Sequence, residues 1–461
     1  MVRTELGSPG PGQAHSSAEG HGVIARRMIA VVLAMAAGAC LDAGEVRVKE
    51  SDPVYRAVEK AQAELGRRFV NEHGVLLDFV TPNGEVIVPT PEECKAQKPN
   101  GLAWWCPIEN GAFFNGLYLA GLCKRWRARG KQQEDAESAR RIAGGLLHLK
   151  AIANTPGFIA RGTATDGKSH HSAGSDDQSL PWFYGLWCYA RSGIPDEAEK
   201  RDIIAAMTDV ATAIEKNGWR MPCDPATFGN RGSWPGKSPV SVPRLLFVTR
   251  AMHELTGDAH WLTTHNQLRD ERPRGSESTR LEICSDDTLI NEHGNSKYGY
   301  YSFWTKASCQ ACLAALVEME DDPDIRKHYE QGRSDFARHA AQRVAEFRKF
   351  SNDNTSAFVH DWRVLNEWWK PQKGISDTVA VATEQSKHWH RISPRKRYEA
   401  RSMAEPLFAA WVVTLSKDRA LVAQARDDIR AALAHYDWSR LHYSTFFAAV
   451  CTYYEGIDSG L

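Results

Sequence analysis

Residues 177–192 read DQSLPWFYGLWCYARS, and after Gly193-Ile194-Pro195 the chain continues with DEAEKRDIIAAMTDVATAIEKN over residues 196–217. The first stretch is apolar on nearly every side and rich in aromatic and small residues. The second is amphipathic and heavily charged, with an apolar period close to 3.6 residues. A helix that is apolar all round must be buried all round, whereas an amphipathic one covers a core with one stripe and faces water with the rest. The pair therefore reads as one buried helix joined by a tight turn to one surface helix.

The same alternation recurs along the chain. Charged amphipathic segments fall at 54–72, 132–153, 196–217, 258–270, 324–349 and 418–436. Apolar, aromatic-rich segments fall at 108–124, 177–192, 240–256, 302–320, 403–416 and 442–455. Strand-like alternation is nearly absent, apart from a small β-hairpin expected over Val75 to Val88 around Pro82-Asn83-Gly84. Six buried helices alternating with six exposed ones is what a double ring requires, so the pattern predicts an all-α (α/α)6 toroid over 54–461. A superhelical solenoid of helix pairs would show a more regular repeat.

The chain of 461 residues has 57 Lys+Arg against 57 Asp+Glu, and no acidic low-complexity block. Without a basic excess there is no field to neutralise phosphates, which argues against a nucleic-acid partner. The N-terminal segment reads as targeting information. Arg26-Arg27 precede an apolar run from Met28 to Cys40, too short for a bilayer core that takes about 20 apolar residues. Residues 1–40 are thus expected to be a signal segment for export, and 41–53 a linker. Ala37-Gly38-Ala39 before Cys40 resembles a lipoprotein cleavage box, so the only membrane contact expected is a lipid anchor at Cys40, with a periplasmic or outer-surface location. Of the other nine cysteines, Cys94 and Cys106 flank a short loop and are a candidate pair after export. Cys309-x-x-Cys312 lies inside a helical pattern with no second pair, which does not make a zinc or redox motif.

The connections into the buried helices are long and the connections out are short. The long ones span 74–107, 154–176, 218–239 and 271–301 and are full of Gly, Pro, Trp, His and Asp. Long loops gathered at one end of a helical barrel are where a cleft is built. The densest runs from Gly157 to Gln178, with Arg161, Lys168, His170, His171, Asp176, Asp177 and Gln178 before a buried helix. Ser175 or Asp176 would cap that helix, which accounts for one acidic residue but not two. Trp104-Trp105 with Glu109, Trp234, and His293 with Tyr298 and Tyr300 mark three further entrances. Arg401 with Glu405 and then His442-Tyr443 mark the last two. In a closed ring these entrances converge on one axis. The stretch 361–390, with four Trp and two His, reads as a wall of that cleft.

Architecture and the segment Ser175-Asp176-Asp177-Gln178 together resemble the six-hairpin toroid carbohydrate enzymes. That group includes unsaturated glucuronyl hydrolases, other uronic-acid-specific glycoside hydrolases and toroid polysaccharide lyases. The resemblance implies a general acid/base at the start of an inner helix, which is Asp176 or Asp177 here. Fifteen tryptophans suit a sugar partner. Hydrolysis of an acidic oligo- or polysaccharide would pair Glu109 with Asp176 or Asp177 as general acid and base, without a cofactor or metal. Elimination from a uronate would instead use Arg161 or Arg401 to neutralise the carboxylate and Tyr298, Tyr300, His171 or His293 to move the proton. The expected site thus comprises Asp177, Asp176, Glu109, His171 and Tyr298 for catalysis. Arg161, Lys168, His170, Gln178, Trp105, Trp234, His293, Tyr300, Arg401 and Tyr443 are expected to bind substrate. A non-catalytic glycan-binding lipoprotein and a helical protein-interaction scaffold are the competing classes.

Overall fold

The computed structural model describes residues 48–292 and 302–461, which are mainly helical with little strand. The signal segment, Cys40, His293, Tyr298 and Tyr300 lie outside the described residues. The long charged helices are α1 (Pro53–Glu64), α4 (Gln133–Ala151), α6 (Glu197–Lys216), α8 (Ala259–Asp270), α12 (Pro323–Val344) and α16 (Arg419–His435). Alternating with them are α3 (Gly111–Ala128), α5 (Asp176–Ser192), α7 (Val242–Thr256), α11 (Phe303–Met319), α15 (Glu405–Leu415) and α17 (Phe447–Gly456). Short helices α2 (Pro91–Lys95), α9 (Arg280–Cys284), α10 (Asp287–Glu292) and α14 (Pro394–Glu399) sit in the connections, together with a longer one, α13 (Ile375–Ile392).

The local chemistry explains these bounds. Aspartates 52, 196, 258, 322 and 418 precede α1, α6, α8, α12 and α16, and each side chain accepts a first-turn backbone N–H. Caps of this kind contribute about 1 kcal/mol apiece. Gly193 and Gly257 end α5 and α7 in left-handed conformations, at φ +85° and +69°, which lets the chain reverse into the next helix within a few residues.

Burial follows the two kinds of helix. All eleven residues of α15 and all ten of α17 are buried. In α6 only the stripe Ile203, Met207, Val210, Ala211 and Ile214 is. The buried helices pack in the order α3 on α5, α5 on α7, α7 on α11, α11 on α15, α15 on α17, and α17 back on α3. Between α3 and α5 the backbones come into direct contact. A Cβ at Gly116 would be driven into the Pro181 carbonyl oxygen, and one at Gly185 into the backbone of Gly116. No helix among the described residues is long and apolar enough to cross a membrane.

Three features differ from the sequence expectation. Val75 to Val88 does not fold into a hairpin, because its backbone is used elsewhere. The N–H of Leu77 bonds Phe69 O, Asp78 bonds Pro107 O, and Val80 bonds His442 O, while Thr81 and Glu85 close only the turn at Pro82-Asn83-Gly84. The hairpin that does form pairs β1 (Arg220–Pro222) with β2 (Asn230–Ser233), inside the loop that leads to α7. The stretch 361–390, expected as a wall of the cleft with no helix assigned, contains most of α13, which has Thr378, Val381, Ala382, Gln385 and Trp389 on its buried face. Cys94 and Cys106 are both buried and unpaired.

If Gly116 is where α3 and α5 touch, Gly116→Ala should lower stability by about 1–3 kcal/mol in urea unfolding. Gly144→Ala, on α4 where an added Cβ meets nothing within 4 Å, should be neutral or stabilising by up to about 1 kcal/mol.

Candidate active site

Acidic side chains gather where the loops enter α3 and α5. Asp176 and Asp177 form the first turn of α5, with side chains 24% and 35% exposed. Both face Arg244, the third residue of α7, which is 3% exposed. Its Nη1 lies 3.3 Å from Asp177 Oδ1 and 3.5 Å from Asp176 Oδ2. Its Nη2 donates to Ser308 Oγ on α11 at 2.9 Å. One guanidinium therefore ties three consecutive buried helices to the carboxylate pair. Gly232 on β2 presses against Asp176 from the other side, where a Cβ would run into Oδ1. Burial, and then the charge of Asp177, raise the Asp176 carboxyl to about 6 against the pull of Arg244.

Glu109 stands at the entrance to α3. Trp105, held in a left-handed turn at φ +75°, donates its backbone N–H to Glu109 Oε2 at 2.9 Å, and Lys396 Nζ lies 3.5 Å from the same oxygen. Behind it Asp78 is fully buried and accepts the backbone and side-chain N–H groups of Asn110, both at 2.7 Å. Burial and then the neighbouring Glu109 push the Asp78 carboxyl up to about 8. Asn110 continues the chain of contacts to α5, since its Oδ1 accepts Gln178 Nε2 at 3.1 Å.

Arg161 binds the two acidic entrances together from beneath. Its guanidinium donates to Glu109 O at 3.0 Å, Ser175 Oγ at 3.1 Å and Ala173 O at 3.0 Å. Arg161, expected as a substrate contact, is buried and directs these hydrogen bonds to its own chain. Ser175, the residue before α5, makes no side-chain cap because its hydroxyl meets Arg161 instead.

Several other expected site residues are structural in the same way. Gln178 is fully buried and accepts Phe113 N at 3.0 Å, closing α3 against α5. His171 Nε2 lies 2.8 Å from Lys98 O, an acceptor, so that nitrogen carries the hydrogen, and Nδ1 meets Cys94 Sγ at 3.7 Å. Burial lowers the His171 imidazole to about 4, which leaves it neutral at pH 7. His170 braces its own loop, with Nε2 3.4 Å from Asp224 Oδ2 and its ring against Phe158. Trp234 is fully buried against Phe183 and Trp219, as core and not as a sugar platform. Lys168 is exposed on the turn after Gly167, whose carbonyl meets His148 of the charged helix α4. Trp105, Tyr443 and Arg401 are each part-buried; Trp105 and Tyr443 both stand against Lys396. Among the described residues no three His, Cys, Asp or Glu side chains stand together as metal ligands.

Arg244, Asp78 and Lys396 did not emerge from the sequence. The first two carried a signal: a lone charge inside an apolar run, Val242-Pro243-Arg244-Leu245-Leu246 and Leu77-Asp78-Phe79, is affordable in a core only when paired or hydrogen-bonded. Lys396 sits in Pro394-Arg395-Lys396-Arg397, which looks like a solvated basic turn. The chain matches no family model, no curated protein and no solved structure.

The raised Asp176 carboxyl makes a stability prediction with a definite sign. Folding costs nothing at this group below its ordinary value of 3.8, and the cost is complete above about 6. Wild-type protein should therefore lose stability as pH rises through that window, and Asp176→Asn should lose less of it, since the buried Asp135 carboxyl, also raised to about 6, contributes in both. In urea unfolding at neutral pH the variant should be more stable by about 1–2 kcal/mol, with the gain gone below about pH 4.

Proposed function

We propose that the protein is an exported glycoside hydrolase acting on an acidic, uronic-acid-containing oligo- or polysaccharide. The proposed architecture is a double ring of six helical hairpins with the site at the loop-bearing end. Support for the ring comes from the neighbour order of the buried helices, which returns from α17 to α3. Export rests on the apolar run ending at Cys40, a lipid-anchor candidate.

The observation that carries the catalytic reading is the unequal carboxylate pair at the head of α5. One member, Asp176, is held in its protonated form to about pH 6 by burial and a neighbouring charge, while Asp177 is the more exposed and is paired with Arg244. A buried carboxyl that keeps its proton towards neutral pH is suited to act as the general acid of such a site. In this scheme Asp176 protonates the leaving oxygen, or the double bond of an unsaturated uronate. Glu109 takes the proton from an attacking water, and Asp177 with Arg244 fixes the charge beside the acid. The part-buried rings of Trp105 and Tyr443 supply a surface for the sugar ring.

The test is incubation of the purified protein with uronic-acid glycans and with their lyase-generated unsaturated oligosaccharides. The absorbance of the conjugated unsaturated uronate and the reducing ends are followed together. New reducing ends without new absorbance, or loss of existing absorbance, are the expected results. A rise in absorbance would mean β-elimination and overturn the assignment of the acids; binding without turnover would favour a glycan-binding protein. Asp177→Asn and Asp176→Asn should each abolish turnover, and Asp177→Asn should leave sugar affinity within about tenfold of wild type.

A further inference from the structure

An acidic sugar needs a cation in the site, and the described arginines around it are largely committed. Arg161 is spent on two carbonyls and Ser175, Arg244 on the aspartate pair and Ser308, and Arg395 on Glu399 and the Asn354 carbonyl. Lys396 differs. Its side chain is only 9% exposed, yet among the described residues its ammonium has one hydrogen-bond acceptor, Glu109 Oε2, at the long distance of 3.5 Å. An ammonium offers three donors, and leaving them unmade while buried is costly. The remaining contacts are ring faces: Trp105 at 5.0 Å, Tyr443 at 5.3 Å and Phe79 at 5.4 Å from Nζ. Trp105 adds a second unmet donor, since its buried indole Nε1 has no acceptor. The cluster is thus rich in donors and poor in acceptors, beside a carboxylate at the entrance to α3.

We propose that Lys396 is the specificity-determining residue that binds the carboxylate of the substrate, seated between the ring faces of Trp105 and Tyr443 beside Glu109. This rests on the uronate reading above and adds which residue recognises the acid. A sugar carboxylate supplies the acceptor that the ammonium lacks, and a neutral hexose supplies none of that charge. Aromatic walls around the ammonium limit hydration, so a charge-assisted bond formed there is stronger than on an open surface. Arg231 on β2, part-buried near Asp176, is the cation that competes for the role.

The experiment titrates the full chain with glucuronate-, galacturonate- and mannuronate-containing oligosaccharides, each beside its carboxyl-reduced counterpart, by calorimetry. Wild type should prefer at least one acidic form by about tenfold to a hundredfold. Lys396→Met, which keeps the apolar stem, should erase that preference while holding the neutral sugar as wild type does. Lys396→Arg should retain most of it, and Arg231→Ala should leave it intact. Lys396→Gln replaces the Met variant should circular dichroism show that one unfolded. Preference surviving in Lys396→Met and Lys396→Gln, or lost in Arg231→Ala instead, would overturn the assignment of Lys396 while leaving the uronate reading standing. A folded wild type that binds no acidic oligosaccharide would overturn both.

Discussion

A helix that is apolar around its whole circumference has to be covered on every side, and that demand organises this molecule. α3, α5, α15 and α17 have no face that water would tolerate, so each needs buried neighbours on both flanks and an amphipathic helix behind. The contact of α3 with α5 through Gly116 and Gly185 brings two such helices to backbone distance. It also sets the spacing of their entrances, where Glu109 and Asp176 stand. The carboxylates of the candidate site accordingly stand at the helix ends. There the loops arrive with their own hydrogen-bonding needs, and buried arginines meet them.

The loops are ordered by internal polar bonds as well as by apolar packing. Arg161 takes carbonyls from two segments and the Ser175 hydroxyl, Asp224 takes Asn154 and Thr155, and Gln385 reaches Pro99 and Leu365 from α13. Buried backbone groups outside helices must find partners, and side chains such as these are where they find them. A consequence for function is that few polar side chains at the entrances remain uncommitted. Lys396, with one long contact to Glu109, is the least satisfied of those described.

The buried helices were legible because their composition admits one environment, and their partners because a single stripe with an Asp cap admits one orientation. The helix over 375–392 was hidden because two of its buried-face positions, Thr378 and Gln385, are polar and break the apolar period. The expected hairpin near Pro82-Asn83-Gly84 failed for the opposite reason: a turn signal was present, but the strands on either side bond to distant segments. Asp176, Asp177 and Glu109 stand at helix entrances, as their places in the sequence imply. The internal partners of His171, Gln178 and Arg161 were not legible, because a polar loop residue reads alike whether it serves a substrate or a carbonyl of its own chain. Only the fold distinguishes the two.

The central claim is that the entrances of α3 and α5 form one acidic-sugar site. Its most direct test is a crystal structure of Asp177→Asn with a bound uronate-containing disaccharide. The account predicts a sugar in contact with Asp176 and Glu109, its carboxylate within hydrogen-bond distance of Lys396 Nζ. A disaccharide bound elsewhere on the chain, or one that leaves Asp176 and Glu109 untouched, would contradict it.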